Sequence, residues 1–245
     1  MSNISGSKEN MQKSEAVVYL VPLPVADGLN NTLSADVIGI TSQLRLYFVE
    51  NARTARRFLR SLHANLILEE ITFSEIDKHT GPDTGLFKSL LRQGLSVGIM
   101  SESGCPGIAD PGADLVAVAQ AMNVKVVPLT GPNSVILALM ASGLNGQSFS
   151  FRGYLPVKEP LRSQKIKELE QFSGREQQTQ IFIETPYRND NLFADLLKNC
   201  AGQTRICVAS DITSANSMIR TKTVDDWKKS RLTIGKVPCV FLMLA

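Results

Sequence analysis

Arg53, Arg56, Arg57 and Arg60 recur at i, i+3, i+4 and i+7. A helix would gather these four guanidinium groups on one face, with Ala55, Phe58, Leu59 and Leu62 opposite. Arginine grips oxyanions through paired hydrogen bonds, so the stripe suits phosphate contacts. A solvated helix face stands beside that as the alternative. Glu50 precedes the stripe, at the end of the apolar run Leu44–Glu50. A carboxylate there is a candidate general base or a partner for Arg53. The third stretch is SESGCPGIADPG, Ser101 to Gly112. Gly104 and Gly107 permit positive φ and close backbone approach to a ligand. Pro106 and Pro111 hold the loop's shape, so less entropy is lost on binding. Asp110 and Pro111 suit the N-cap and first position of a following helix. The loop is neither G-x-G-x-x-G nor followed by G-K-[ST], so it is no dinucleotide fingerprint or P-loop. It suits a small ligand held by backbone groups. Cys105 reads as a small packing residue and not as a nucleophile.

Other chemistry is excluded by what the chain lacks. Its 245 residues hold four cysteines without a C-x-x-C pair, and two histidines, His63 and His79, without zinc spacing. No metal site is expected, and the thiols read as reduced and cytoplasmic. The net charge of +3 is too small to name a nucleic-acid partner by itself. No apolar run approaches the roughly 18 residues of a membrane span. Residues 1–15 are polar, resemble no signal peptide and read as a disordered tail. His79 reads as a surface histidine and Trp227 as partial core. Lys158, Arg162, Lys165 and Lys167 are candidates to extend a basic surface, but Glu159, Glu168 and Glu170 dilute the charge, and an ordinary solvated face is the stronger reading.

The elements that must carry these residues follow from periodicity. AVVYLVPLP, LRLYFVE, LSVGIM and VKVVPL are short apolar runs that read as buried strands. ARTARRFLRSL, ADLVAVAQAM and SVILALMASGL have helical spacing. Strands alternating with helices mean βαβ units and a mostly parallel sheet covered on both faces. Glycine, proline and polar residues crowd Asn145–Pro160, and the domain boundary is expected there, dividing residues 16–147 from 148–245. Beyond it RSQKIKELEQF and RNDNLFADLLKNC read as helices, and QIFIE, RICVAS and VPCVFLMLA as strands. Three loops of one kind follow strands: VPLPVADGLNN, the Ser101–Gly112 loop and PLTGPNSVI, where Asn133 or Ser134 caps a helix.

Together these stretches resemble the tetrapyrrole methylase superfamily, most nearly its branch of ribosomal RNA small subunit methyltransferase I. YLVPLP matches the branch's V-P-[TL]-P turn, and ENAR its E-D-T-R. SESGCPGIADPG matches S-D-A-G-T-P-G-I-S-D-P-G, PLTGPNS matches P-[LIV]-[PT]-G-P-S-A, and IFIETPYR matches a strand leading into E-S-P-H-R. The order holds over roughly residues 17 to 190. Asn51 and Ala52 stand where the branch has Asp and Thr, and ASDITSANSMI where it has R-E-L-T-K. The resemblance implies two α/β domains, S-adenosylmethionine bound in the cleft between them, and commonly a homodimer. It implies methylation of a ribose 2′-oxygen in small-subunit ribosomal RNA, hence the small ribosomal subunit as partner. It also implies cofactor contacts at Pro24, Ser103, Gly104, Cys105, Ile108, Ser134, Thr185 and Tyr187. Glu50 becomes the candidate base, and Arg53, Arg56, Arg57 and Arg60 the RNA contacts. A same-fold methyltransferase acting on a tetrapyrrole or other small molecule, and a catalytically weakened RNA-binding relative, remain as alternatives.

Overall fold

The computed structural model describes residues 15–77 and 79–245. The tail expected over residues 1–15 lies outside them, Glu15 apart. The first half runs β1 (Val17–Leu20), α1 (Ala35–Gln43), β2 (Leu46–Val49), α2 (Ala52–Leu62), β3 (Thr72–Glu75), α3 (Thr84–Arg92), β4 (Val97–Met100), α4 (Ala113–Ala121) and β5 (Lys125–Pro128). Its strands form one sheet in the order β3-β2-β4-β1-β5, every pair parallel. Successive strand residues point to opposite faces. Tyr47 and Val49 therefore pack with Val37 of α1 and Phe58 and Leu59 of α2. Phe48 packs the other way, with Phe87 of α3 and Leu115 of α4. Helices on both faces explain why the strands carry no polar alternation.

One glycine is required by packing. A Cβ on Gly98 of β4 would lie 2.5 Å from Cδ1 of Tyr47. That ring cannot yield readily: it is buried, stacks on Phe73 with centroids 5.7 Å apart, and its hydroxyl donates to the Thr41 carbonyl at 3.3 Å. Gly98→Ala is therefore expected to lower stability by about 1–3 kcal/mol, the usual cost of overpacking. A urea unfolding curve checks this.

The second half contains α5 (Ser134–Ser142), β6 (Phe149–Tyr154), α6 (Leu161–Glu176), β7 (Thr179–Glu184), α7 (Asn189–Asn199), β8 (Arg205–Ser210), β9 (Met218–Thr223), α8 (Val224–Lys229) and β10 (Cys239–Leu244). Its sheet has the order β6-β7-β10-β8-β9. Only β6 and β7 pair in parallel; the other neighbours are antiparallel. One face packs on α5 through Val135, Ala138 and Leu139. The other packs on α6, α7 and α8 through Ile166, Leu169, Phe193 and Trp227.

Contacts divide the described residues into two compact units: 15–23 with Leu33–Thr130, and Pro24–Thr32 with Gly131–Ala245. The division thus falls before α5, earlier than the composition change at 147/148. Helix α5 goes with the second unit because its apolar residues are buried against Ile181, Cys207 and Val240 of that sheet. Among the described residues no helix is long and apolar enough to cross a membrane.

Candidate functional site

In the first unit, β1 and β4 are neighbours whose following helices, α1 and α4, cover opposite faces. In open α/β sheets, ligands bind outside the strand ends at such a reversal. The loops after these two strands are tied together. Leu23 N–H donates to the Gly104 carbonyl at 2.9 Å, and Gly104 N–H donates to the Leu23 carbonyl at 3.1 Å. This bridge places Gly104 at φ +66°, followed by Gly107 at +81°, Ala109 at +64° and Gly112 at +128°. Left-handed backbone is costly for a residue with a Cβ, so Ala109 marks strain in a loop otherwise built on glycine. The same run keeps the chain out of helix until Ala113. Asp110 and Pro111 accordingly do not open α4; Gly112 is its N-cap residue, against expectation.

A cavity of about 410 Å³ lies beside this loop, with walls from Leu20, Cys105, Ile108, Val116 and Pro128. That volume is in the range of small-molecule sites. Of the expected loop contacts, Cys105 and Ile108 line the cavity. Gly104 sits buried in the bridge, and Ser103 is exposed, its carbonyl accepting from Ser101 Oγ at 3.0 Å. Leu20, Val116 and Pro128 were not anticipated. Their signal is positional: they are strand-end and first-turn residues flanking the glycine loop.

The end of β2 braces the same loop. Glu50 is half-buried, and its Oε2 accepts from the Glu102 N–H at 3.2 Å. Thr54 Oγ1 donates to Glu102 Oε1 at 3.3 Å. Asn51 caps α2, its Oδ1 accepting from the N–H groups of Arg53 and Thr54 at 3.0 and 3.1 Å. The departure from Asp is thus chemically small, since both side chains offer the capping oxygen. Asn51→Ala is expected to cost about 1 kcal/mol and Asn51→Asp close to nothing; thermal unfolding of the two variants checks it. Arg53, Arg56, Arg57 and Arg60 are all exposed, while Ala55, Phe58 and Leu59 are buried. The stripe therefore faces outward, as its spacing predicts. Arg56 lies over the Phe73 ring, 5.0 Å from its centroid.

In the second unit, β7 ends at buried Glu184. Its Oε1 accepts from Thr185 N–H at 2.7 Å, Arg188 Nε at 3.0 Å and Arg188 Nη2 at 2.6 Å. Its Oε2 meets Arg162 Nη2 at 3.4 Å. Burial pushes this carboxyl's pKa up. The bonds from Arg188 and Thr185 and the two guanidinium charges outweigh that and hold it below the ordinary carboxylate range. Arg162 belongs neither to a basic surface nor to a solvated face: it is 4% exposed and donates to Asp195 Oδ2 at 3.1 Å and to the Pro156 carbonyl at 2.8 Å. Lys165 pairs with Glu168 at 2.6 Å. Asn133, not Ser134, caps α5, accepting from Ile136 N–H at 3.1 Å; Ser134 is the first helical residue. Thr185 precedes a turn of 3₁₀ helix, Pro186–Arg188. Tyr187 is 78% exposed. Pro24 belongs to the segment Pro24–Thr32, which goes with this unit. Trp227 is full core, with Nε1 donating to the Ile206 carbonyl at 2.8 Å. His79 is exposed. Among the described residues no group of three or more His, Cys, Asp or Glu side chains could hold a metal ion.

Comparison with known proteins adds the following. The model of the family Tetrapyrrole (Corrin/Porphyrin) Methylases matches residues 33–227. The chain is 33% identical over 204 residues to a protein of Vibrio cholerae named ribosomal RNA small subunit methyltransferase I, covering 83% of this chain and 67% of that one. The protein of the same name from Pseudomonas aeruginosa is 29% identical over 234 residues, covering 94% and 79%. Among solved structures, diphthine synthase is similar at a TM-score of 0.65 and 14% identity, over 94% of this chain and 90% of that one. Uroporphyrin-III-C-methyltransferase from Thermus thermophilus is similar at a TM-score of 0.52 and 14% identity, over 94% and 92%. At that identity the structures share a fold.

Proposed function

The chain belongs to the Tetrapyrrole (Corrin/Porphyrin) Methylases family and is a methyltransferase, and from that premise we propose that it methylates a ribose 2′-oxygen in small-subunit ribosomal RNA, using S-adenosylmethionine. The observation that carries the RNA reading is the outward stripe of Arg53, Arg56, Arg57 and Arg60. Its helix is hydrogen-bonded at the first turn, through Thr54 and Glu102, to the glycine loop. Four guanidinium groups beside a ligand loop suit phosphate oxygens, and the relatives reported above are named for ribosomal RNA.

The cavity beside Cys105 and Ile108 fits the proposed cofactor. Its volume of about 410 Å³ takes an adenosine-sized group, its walls are largely apolar, and the glycine loop offers backbone donors and acceptors for the charged end. We assign cofactor contacts to Ser103, Gly104, Cys105 and Ile108 of the glycine loop. When bound, S-adenosylmethionine supplies an electrophilic methyl group on a positively charged sulfur. What remains for the protein is alignment, exclusion of water and removal of one proton. The bridge between Leu23 and Gly104 holds the loop in a single shape. The apolar walls exclude water. Glu50 is the proposed proton acceptor, its carboxylate held by the Glu102 N–H. The same reading carries a homodimer working in the cytoplasm, and sedimentation of the purified protein checks the dimer.

The test is transfer of labelled methyl from S-adenosylmethionine to purified small ribosomal subunits, followed by nucleoside analysis. Label in a 2′-O-methylated nucleoside is the expected result. Label in porphyrinogen alone, or in neither acceptor, would sink the RNA reading.

A further inference from the structure

We propose that Tyr187 and Lys236 form a seat for one base and an adjoining phosphate of the single-stranded acceptor RNA; the proposal rests on the RNA reading above. Tyr187 is 78% exposed, and the Lys236 ammonium lies over its ring, 5.3 Å from the centroid. A ring open to solvent and a cation beside it are what single-stranded nucleic acid requires. Every base has a π-face that stacks on an aromatic ring, and the backbone between bases is anionic.

Both partners are held from behind. Tyr187 lies between residues anchored to buried Glu184: Thr185 through its N–H at 2.7 Å, and Arg188 through Nε at 3.0 Å and Nη2 at 2.6 Å. Lys236 is held by the two residues that follow this turn. Asn189, fully buried, donates from Nδ2 to the Gly235 carbonyl at 3.1 Å and the Val237 carbonyl at 2.7 Å. These are the carbonyls on either side of Lys236. Asp190 accepts from the Ile234 N–H at 2.7 Å and the Gly235 N–H at 3.2 Å. Four bonds from two adjacent side chains thus fix residues 234–237 against the turn that carries Tyr187. The fixed backbone presents the lysine over the ring, so a ligand finds the pair already assembled.

The same observations favour RNA over the cofactor as the occupant, which moves Tyr187 from the cofactor contacts to the acceptor side. Small-molecule sites enclose most of their ligand, and Tyr187 is open. S-adenosylmethionine also carries two positive groups against a single carboxylate, whereas RNA carries an anionic phosphate at every nucleotide, so the Lys236 ammonium suits RNA better.

The experiment compares the unaltered protein with Tyr187→Ala, Tyr187→Phe and Lys236→Ala. Affinity for a labelled single-stranded oligoribonucleotide of mixed sequence is measured by fluorescence anisotropy at several salt concentrations. Affinity for S-adenosylmethionine is measured by calorimetry. Tyr187→Ala is expected to weaken RNA binding about 5- to 150-fold, the worth of one stacked base, and Tyr187→Phe to retain it. Lys236→Ala is expected to lower the salt slope by about 0.7, one phosphate on a single strand. Cofactor affinity is expected to stay unchanged in all three. RNA affinity unchanged in Tyr187→Ala overturns the seat while leaving the RNA reading intact, and a loss of cofactor affinity alone assigns the ring to the cofactor. Absence of oligoribonucleotide binding by the unaltered protein also overturns the seat, while methyl transfer to small ribosomal subunits separately decides the RNA reading.

Discussion

Gly104→Val is expected to weaken S-adenosylmethionine binding about 10- to 100-fold while the protein stays folded. Gly104 stands at φ +66° and exchanges two backbone hydrogen bonds with Leu23. A β-branched residue held there costs on the order of 1–3 kcal/mol. The loop can escape that cost by rotating at position 104, which breaks the bridge and moves Cys105 and Ile108 away from the cavity they line. Calorimetry with S-adenosylmethionine and S-adenosylhomocysteine reads the affinity, and urea unfolding reads the fold. Gly104→Ala, with a single methyl in place of the branched isopropyl group, should fall between. Unchanged affinity in a destabilised Gly104→Val protein would mean that the glycine serves the fold alone.

Glu184→Gln is expected to destabilise the protein by about 3 kcal/mol, the lower end for breaking a buried ion pair. The amide can still accept from Thr185, but Arg162, its side chain 5% exposed, keeps only the partly exposed Asp195 as a charged partner. Arg188 has 35% of its side chain exposed and can turn to water, so it adds little. The pH dependence follows in sign. The folded protein holds the Glu184 carboxyl below its ordinary pKa, so its contribution is present above the unfolded value, about 4.3. It is lost as the pH falls through the lower folded value. The gap between the unaltered protein and Glu184→Gln should therefore be full at neutral pH and shrink below about pH 4. Chemical denaturation at a series of pH values measures it. A gap that persists undiminished in acid would show that shape at this position matters more than charge. Changing Arg162 to Leu in the same protein should recover part of the loss, because the uncompensated buried charge is then removed.

Much of this was legible without coordinates because its signals are local. The outward face of Arg53, Arg56, Arg57 and Arg60 depends only on 3.6 residues per turn. The parallel sheet follows from apolar runs alternating with helical spacing, and the ligand loop from glycine and proline chemistry within a dozen residues. Other elements were not legible for a common reason. Strands β6 and β9 lie at the edges of their sheet, where FSFRGY and MIRTKT need not be uniformly apolar. Arg162 sits in a helix rich in lysine and glutamate, and nothing near it in sequence announces its burial.

The amino-acid sequence by itself determined the α/β class, the glycine loop and the arginine face, since these follow from periodicity and from the conformations that glycine and proline allow. The tertiary structure alone decided which residues those features meet. Gly104 is bridged to Leu23, Arg162 to Glu184 and Asp195, α5 to the second sheet, and Asn189 to the carbonyls flanking Lys236. Each partner lies tens of residues away along the chain, or on another element. The energy that selects it comes from burying apolar area and pairing polar groups across that distance, which exists only once the chain has folded.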